Sequence, residues 1–189
     1  MPAPTEWPVA AEISTAALRL EPLRVEHAAE AHPLFADPQL HAFTGGTPRT
    51  PAELADAYRR QAVGHSPDGS QGWLNWMLRR TSDGVLVGTV QATLERPLPH
   101  PAAPTAELAW VVGTAHQGHG HAKEAARAVA AWLRAQGVTD LIAHVHPEHH
   151  ASAAVARALG LTPTDTLVDG EIRWHSAPRA HHTPADTAP

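Results

Sequence analysis

The sequence predicts a mixed α/β domain built on one central sheet. Three observations carry this. Strand-like runs recur along the chain, one long stretch has clear helical period, and the elements follow in the order strand, two helices, three strands, helix, strand, helix, two strands. The chain has 189 residues, which suits a single domain with room for a core. Hydrophobic residues make up 43%, too many for a wholly disordered chain.

The elements can be justified in order. Residues 1–15 read as a flexible arm, rich in proline at the start. Residues 17–23 alternate apolar and polar, and Pro22 limits this strand. A weaker helix spans about 25–35, where Ala28, Ala31 and Phe35 share a face. Residues 43–48 form a loop. The next helix starts at Thr50, because Thr50 and Glu53 make a capping box and Pro51 takes the first helical position. Leu54, Ala57 and Tyr58 give it an apolar face.

Ser66, Pro67, Asp68 and Gly69 make a turn. A strand over 73–79 turns at Ser82, Asp83 and Gly84 into a strand over 85–94. A proline-rich loop covers 97–104, and a strand follows over 106–112. The helix over 120–136 is the clearest element. Ala122, Ala125, Ala126, Val129 and Leu133 form its stripe, and Gly137 stops it. A strand over 140–146, a helix over 151–159 and a hairpin turning at Asp169 and Gly170 complete a domain of residues 16–177. Residues 178–189 read as a disordered tail.

Composition excludes several function classes. The net charge is −5 with histidine neutral, and the basic residues are scattered, so no nucleic-acid partner is expected. There is no cysteine, which removes disulfides, thiolate metal sites and a cysteine nucleophile. No run approaches the roughly 18 apolar residues of a membrane helix, and residues 1–12 lack the pattern of a signal peptide. No membrane partner is expected, and the expected address is the cytoplasm. A second copy of the chain, as a homodimer, stays open.

The informative segment runs from Glu107 to Ala125. An apolar strand enters a glycine-bearing loop that opens into a helix. The first free amides of such a helix, with those of the loop, suit a pyrophosphate. Gly118 and Gly120 remove side chains where backbone and ligand must meet. A plain strand–helix turn is the alternative reading. No Gly-Lys-Ser/Thr follows, so this is not an ATP-type phosphate loop, and Lys123 stands where a dinucleotide fingerprint wants a third Gly or Ala.

Gln117-Gly118-His119-Gly120-His121-Ala122 resembles the Gln/Arg-x-x-Gly-x-Gly/Ala signature of the GNAT superfamily of acetyltransferases. Residues 18–23 resemble that family's opening strand. Residues 147–161, with Ser152 and Leu159-Gly160-Leu161, resemble the late helix of the branch that acetylates ribosomal protein N-termini and many small molecules.

The resemblance implies a mostly antiparallel sheet splayed between the fourth and fifth strands, with acetyl-CoA in the gap. It implies cofactor contacts from Val111, Val112, Gln117, Gly118, His119, Gly120, His121, Ala122, Lys123 and Ser152, and a thioester-oxygen donor at the Val111 amide. It departs from the family in two places. His149 stands where Asn is common, and Ala156 stands where many members carry a Tyr acid.

Glu107 is the candidate base, since an ammonium acceptor must lose a proton before it attacks. Its structural alternative is a strand-edge residue or a salt-bridge partner. Ser152 and His149 are candidate proton donors or cofactor contacts, with helix capping as the alternative. Phe43, Trp73, Asn75 and Gln91 are candidate acceptor contacts, the aromatics being equally at home in a core.

The implied reaction moves an acetyl group to an amine of a small molecule, such as a metabolite or antibiotic. Acetylation of a protein N-terminus is the second reading. A metalloenzyme on a cluster drawn from His116, His119, His121, His144, His146, His149 and His150, or a non-catalytic CoA-binding module, are the rivals of other classes. The histidine spacings match no standard metal motif, so no metal ligand is assigned. A serine hydrolase is not supported, as Gly-x-Ser-x-Gly is absent.

Overall fold

A computed structural model describes residues 7–43, 47–96 and 104–176. The expected tail 178–189, most of the loop 97–104 and residues 44–46 lie outside the described residues. One eight-stranded sheet organises them, in the order β1-β2-β3-β4-β5-β6-β8-β7. The strands are β1 (Ile13–Ser14), β2 (Leu18–Pro22), β3 (Gln71–Arg80), β4 (Leu86–Glu95), β5 (Thr105–Val112), β6 (Asp140–Val145), β7 (Leu161–Val168) and β8 (Glu171–Ser176). The helices are α1 (His27–Phe35), α2 (Pro51–Gln61), α3 (His121–Ala135) and α4 (His150–Ala158). Every named pair is antiparallel except β5 with β6.

Local chemistry sets the elements. In α2, Thr50 Oγ1 accepts the Glu53 amide while the Glu53 carboxylate accepts the Thr50 amide, closing the expected capping box. The stripe of α3 is Ala125, Ala126, Val129, Ala130 and Leu133, all fully buried against the sheet. Their partners include Leu18, Leu74, Val90 and Leu108, which form the main core. A second core lies on the opposite sheet face, where Leu54 and Tyr58 of α2 and Ala28 and Ala31 of α1 meet Met77 and Leu86.

The expectation of a loose arm over 1–15 needs correcting for residues 7–14. Trp7 packs on the main core, directly over Gly72, and donates its indole N–H to the Gly69 carbonyl at 3.1 Å. Trp76 donates to the Ala11 carbonyl at 2.7 Å, and Ile13 and Ser14 pair with β2. A buried indole needs an acceptor, and here the arm supplies it.

The expected splay lies between β5 and β6. Their register ends after Thr105–Asp140, Ala106–Leu141 and Glu107–Ile142. Beyond Glu107, β5 keeps only β4, and β6 keeps only β8.

Candidate active site

The parting strands leave a cleft of about 700 Å³. One wall is β5 and the loop into α3. The other is the end of β6 and the start of α4, and Phe43 lies at the rim. Antiparallel pairing fixes which backbone groups of β5 face the gap. Gly113 donates to the Val87 carbonyl at 3.0 Å, and hydrogen-bonded pairs recur every second residue. Val111 opposite Thr89 is therefore such a pair, with its amide and carbonyl turned to β4.

Two further contacts agree. A Cβ built on Gly88 would meet the Val111 carbonyl oxygen at 2.3 Å, so that oxygen points at β4. The Val112 carbonyl instead accepts the Gln117 side-chain amide at 2.9 Å. The expected thioester donor at the Val111 amide is thus corrected. Val111 lines the cleft, but the backbone groups facing the gap are those of Trp110 and Val112.

The phosphate end is built by the loop after β5. Gly118 and Gly120 adopt φ of +79° and +81°, a region costly for other residues. These two reversals turn successive amides the same way into α3. The amides of residues 118–123 find no acceptor among the described residues, and the Glu124 amide is the first to bond back, to the Gly120 carbonyl. Together with the helix dipole they suit an anion. His119 and His121 stack at 5.7 Å between ring centroids. His121 is buried with neither ring nitrogen partnered among the described residues, and burial, then neighbouring His119, lowers its pKa. Ala122 and Lys123 also line this end. Lys123 is the one Lys or Arg among the described residues that line the cleft.

The other end is acidic and imidazole-rich. Glu107 Oε1 accepts Nδ1 of His144 at 2.8 Å, across the point where the strands part. His149 caps α4, its Nδ1 facing the Ser152 amide at 3.4 Å. Burial, then His146, lowers its pKa, so the ring is neutral near pH 7. Phe43 stacks on it at 4.3 Å. Ser152 Oγ accepts the Trp110 indole N–H at 3.3 Å, which leaves its own proton free to donate. Ala156 is fully buried in α4. Tyr58 lies in the second core, its hydroxyl pushed up to about 12 by burial.

The sequence-predicted acceptor contacts divide. Phe43 lines the cleft. Asn75 pairs with Gln91, which pairs with Ala109, and Trp73 pairs with Thr93, which pairs with Glu107. Those side chains share the Glu107 face of the sheet but stand outside the cleft wall. Sequence reasoning misses Glu171 and Trp110 as site residues and names His144 only within the metal reading. The alternation of His144 and His146 on one strand was the available signal. The Glu107–His144 contact, between residues 37 apart, was not readable.

Among the described residues no group of three or more His, Asp or Glu is placed to hold a metal ion. Nor is any helix among them long and apolar enough to cross a membrane.

A β-strand splayed from its neighbour, free amides at a helix start and an acid–imidazole pair at the gap define an acyl-CoA-dependent acyltransferase. The chain belongs to the GNAT acetyltransferases: the acetyltransferase (GNAT) domain model matches residues 17–162. Its co-substrate is acetyl-CoA.

Solved structures share the fold. The acetyltransferase from Salmonella typhimurium that modifies the N-terminal serine of ribosomal protein L7/L12 has a TM-score of 0.68 at 14% identity, over 87% of this chain and 98% of that one. The GNAT domain of S. lividans PAT has a TM-score of 0.65 at 24% identity, over 90% and 98%. The microcin C7 self-immunity acetyltransferase MccE, in complex with acetyl-CoA and AMP, has a TM-score of 0.66 at 12% identity, over 86% and 93%. No protein of curated function matches the chain in sequence.

Proposed function

We propose that this enzyme acetylates a primary amine on a small cationic molecule. The carrying observation is the charge of the cleft beyond the cofactor loop. Glu107 and Glu171 line it with His144, His146 and His149, and the only Lys or Arg among its described residues, Lys123, stands at the phosphate end. Two carboxylates attract an ammonium group, and a wall without fixed positive charge does not repel one. The net charge of −5 acts in the same direction at long range. Phe43 adds an apolar surface at the rim, in keeping with a small-ligand pocket.

The chain's groups divide the work. Amides of residues 118–123 hold the pyrophosphate, and the gap-facing backbone of Trp110 and Val112 pairs with the pantetheine arm like an added strand. Acetyl-CoA supplies the thioester. The gap-facing amides of Trp110 and Val112 are the backbone donors available to favour charge on the carbonyl oxygen. Ser152, with its oxygen held by Trp110, donates toward the leaving sulfur, the role vacated by Ala156. Transfer then rests on positioning and one proton acceptor at the Glu107 end.

Mass spectrometry of polyamines, amino sugars and N-terminal peptides incubated with acetyl-CoA tests this reading. Acetylated small amines support it. Peptide acetylation alone would move the assignment to protein N-termini.

A further inference from the structure

We infer that His144, not Glu107, takes the proton from the acceptor amine, and that Glu107 is its positioning residue. This rests on the proposed amine acetylation. Glu107 sits at the last paired position before β5 and β6 part. His144 lies two residues further along β6 than Glu107's register partner Ile142, one step into the gap. Both line the cleft.

The 2.8 Å contact joins Nδ1 of the imidazole to a carboxylate oxygen. A carboxylate only accepts, so Nδ1 carries the hydrogen. The basic lone pair is then on Nε2, which has no partner among the described residues. A Glu107 already holding an N–H is the weaker candidate for direct proton removal, and it stabilises the imidazolium once formed.

The ring is also held better than the carboxylate. The His144 side chain is 17% exposed, against 46% for Glu107. The charged and titratable groups around it come from four segments. Glu107 faces it from β5, Arg173 stands opposite on β8, and His146 follows just past the end of β6. Glu171 of β8 and His149 of α4 line the same end of the cleft.

The step balances as follows. The acceptor arrives as an ammonium and gives one proton to His144 Nε2. The freed nitrogen pair forms the bond to the thioester carbon, and the carbon–sulfur bond breaks with its electrons going to sulfur. The second nitrogen proton reaches sulfur by way of the Ser152 hydroxyl, giving the thiol and the amide. His144 returns its proton to water.

Two measurements on the full chain test this. Nitrogen-15 spectra of the histidine rings read the tautomer without any acceptor. The expected result is the Nδ1–H form at His144 in the wild type and reversion to Nε2–H in Glu107→Leu, which removes the acceptor. The second measurement uses whichever amine the wild type acetylates. His144→Asn is expected to lower kcat/KM about 100-fold or more near neutral pH, with acetyl-CoA affinity unchanged. Its rate should climb with pH as the amine loses its proton unaided, whereas the wild type levels off earlier.

An Nε2–H tautomer in the wild type overturns the inference. So does a His144→Asn variant within threefold of wild type with the same pH profile. A wild type that acetylates no amine at all would instead sink the proposed function.

Discussion

Thr105 donates its hydroxyl to Asp140 Oδ2 at 2.8 Å, and this contact pins β5 to β6 at the closed end of the wedge. Asp140 Oδ1 lies 2.5 Å from His175 Nε2, and Ser176 Oγ lies 3.4 Å from that same Oδ1. The gap proposed to receive acetyl-CoA opens two residues later, after Glu107. Thr105→Val removes one bond and leaves Asp140 its other partners. The expected cost is about 0.5–1.5 kcal/mol, read by urea denaturation. Asp140→Ala, which strips the whole cluster, should cost more. Equal stability of both variants and the wild type would show that the strands are held elsewhere.

Gly88 permits β4 and β5 to approach beside the cleft. A Cβ there would lie 2.3 Å from the Val111 carbonyl oxygen, and backbone cannot swing aside as a side chain does. Gly88→Ala should therefore destabilise by about 1–3 kcal/mol. It should also weaken acetyl-CoA binding, because the displaced strand carries the gap-facing groups of Trp110 and Val112. A Gly88→Ala protein with wild-type stability would contradict the register that turns Trp110 and Val112 to the gap.

Gly120→Val is expected to weaken acetyl-CoA binding at least tenfold by calorimetry. The protein offers no internal clash, since nothing lies within 4 Å of a Cβ at this site. The effect comes from φ of +81°, costing about 1–2 kcal/mol for a branched residue, and from a side chain standing where the anion approaches. Unchanged affinity would place the pyrophosphate elsewhere.

Acid should destabilise the fold before any carboxylate titrates. Burial lowers His27, His121 and His149 below the ordinary 6.5, with Arg24, His119 and His146 respectively adding to it. The folded chain then binds fewer protons than the unfolded one as pH falls through 6.5, so stability is full above that value and declines below it. Thermal denaturation at pH 7.5 and 5.5 reads the slope. His121→Phe removes two unpartnered ring nitrogens and should flatten it. A slope unchanged in that variant would exonerate His121.

Local signals were legible in the sequence and directional ones were not. Thr50 and Glu53 announce α2 because a capping box closes within four residues. The glycines at 118 and 120 announce the anion loop for the same reason. The two-residue β1 is too short to show alternation, and the docking of Trp7 depends on Gly72, 65 positions away. The Val111 amide could not be assigned, because which way an amide faces depends on the pairing of β5 with β4. Asn75 and Gln91 fall on the acid face of the sheet, yet the cleft is set by where β6 departs, a property of two strands whose first pair, Thr105 with Asp140, is 35 residues apart.

The most direct test of the whole account is acetyl transfer itself. Purified protein is incubated with acetyl-CoA and a panel of polyamines, amino sugars and peptides with free N-termini, and products are read by mass spectrometry alongside released CoA thiol. The account predicts that one or more small amines gains a single acetyl group, with thiol released in equal amount. Tight acetyl-CoA binding with no acetylated product from any amine, and no thiol released, would contradict it.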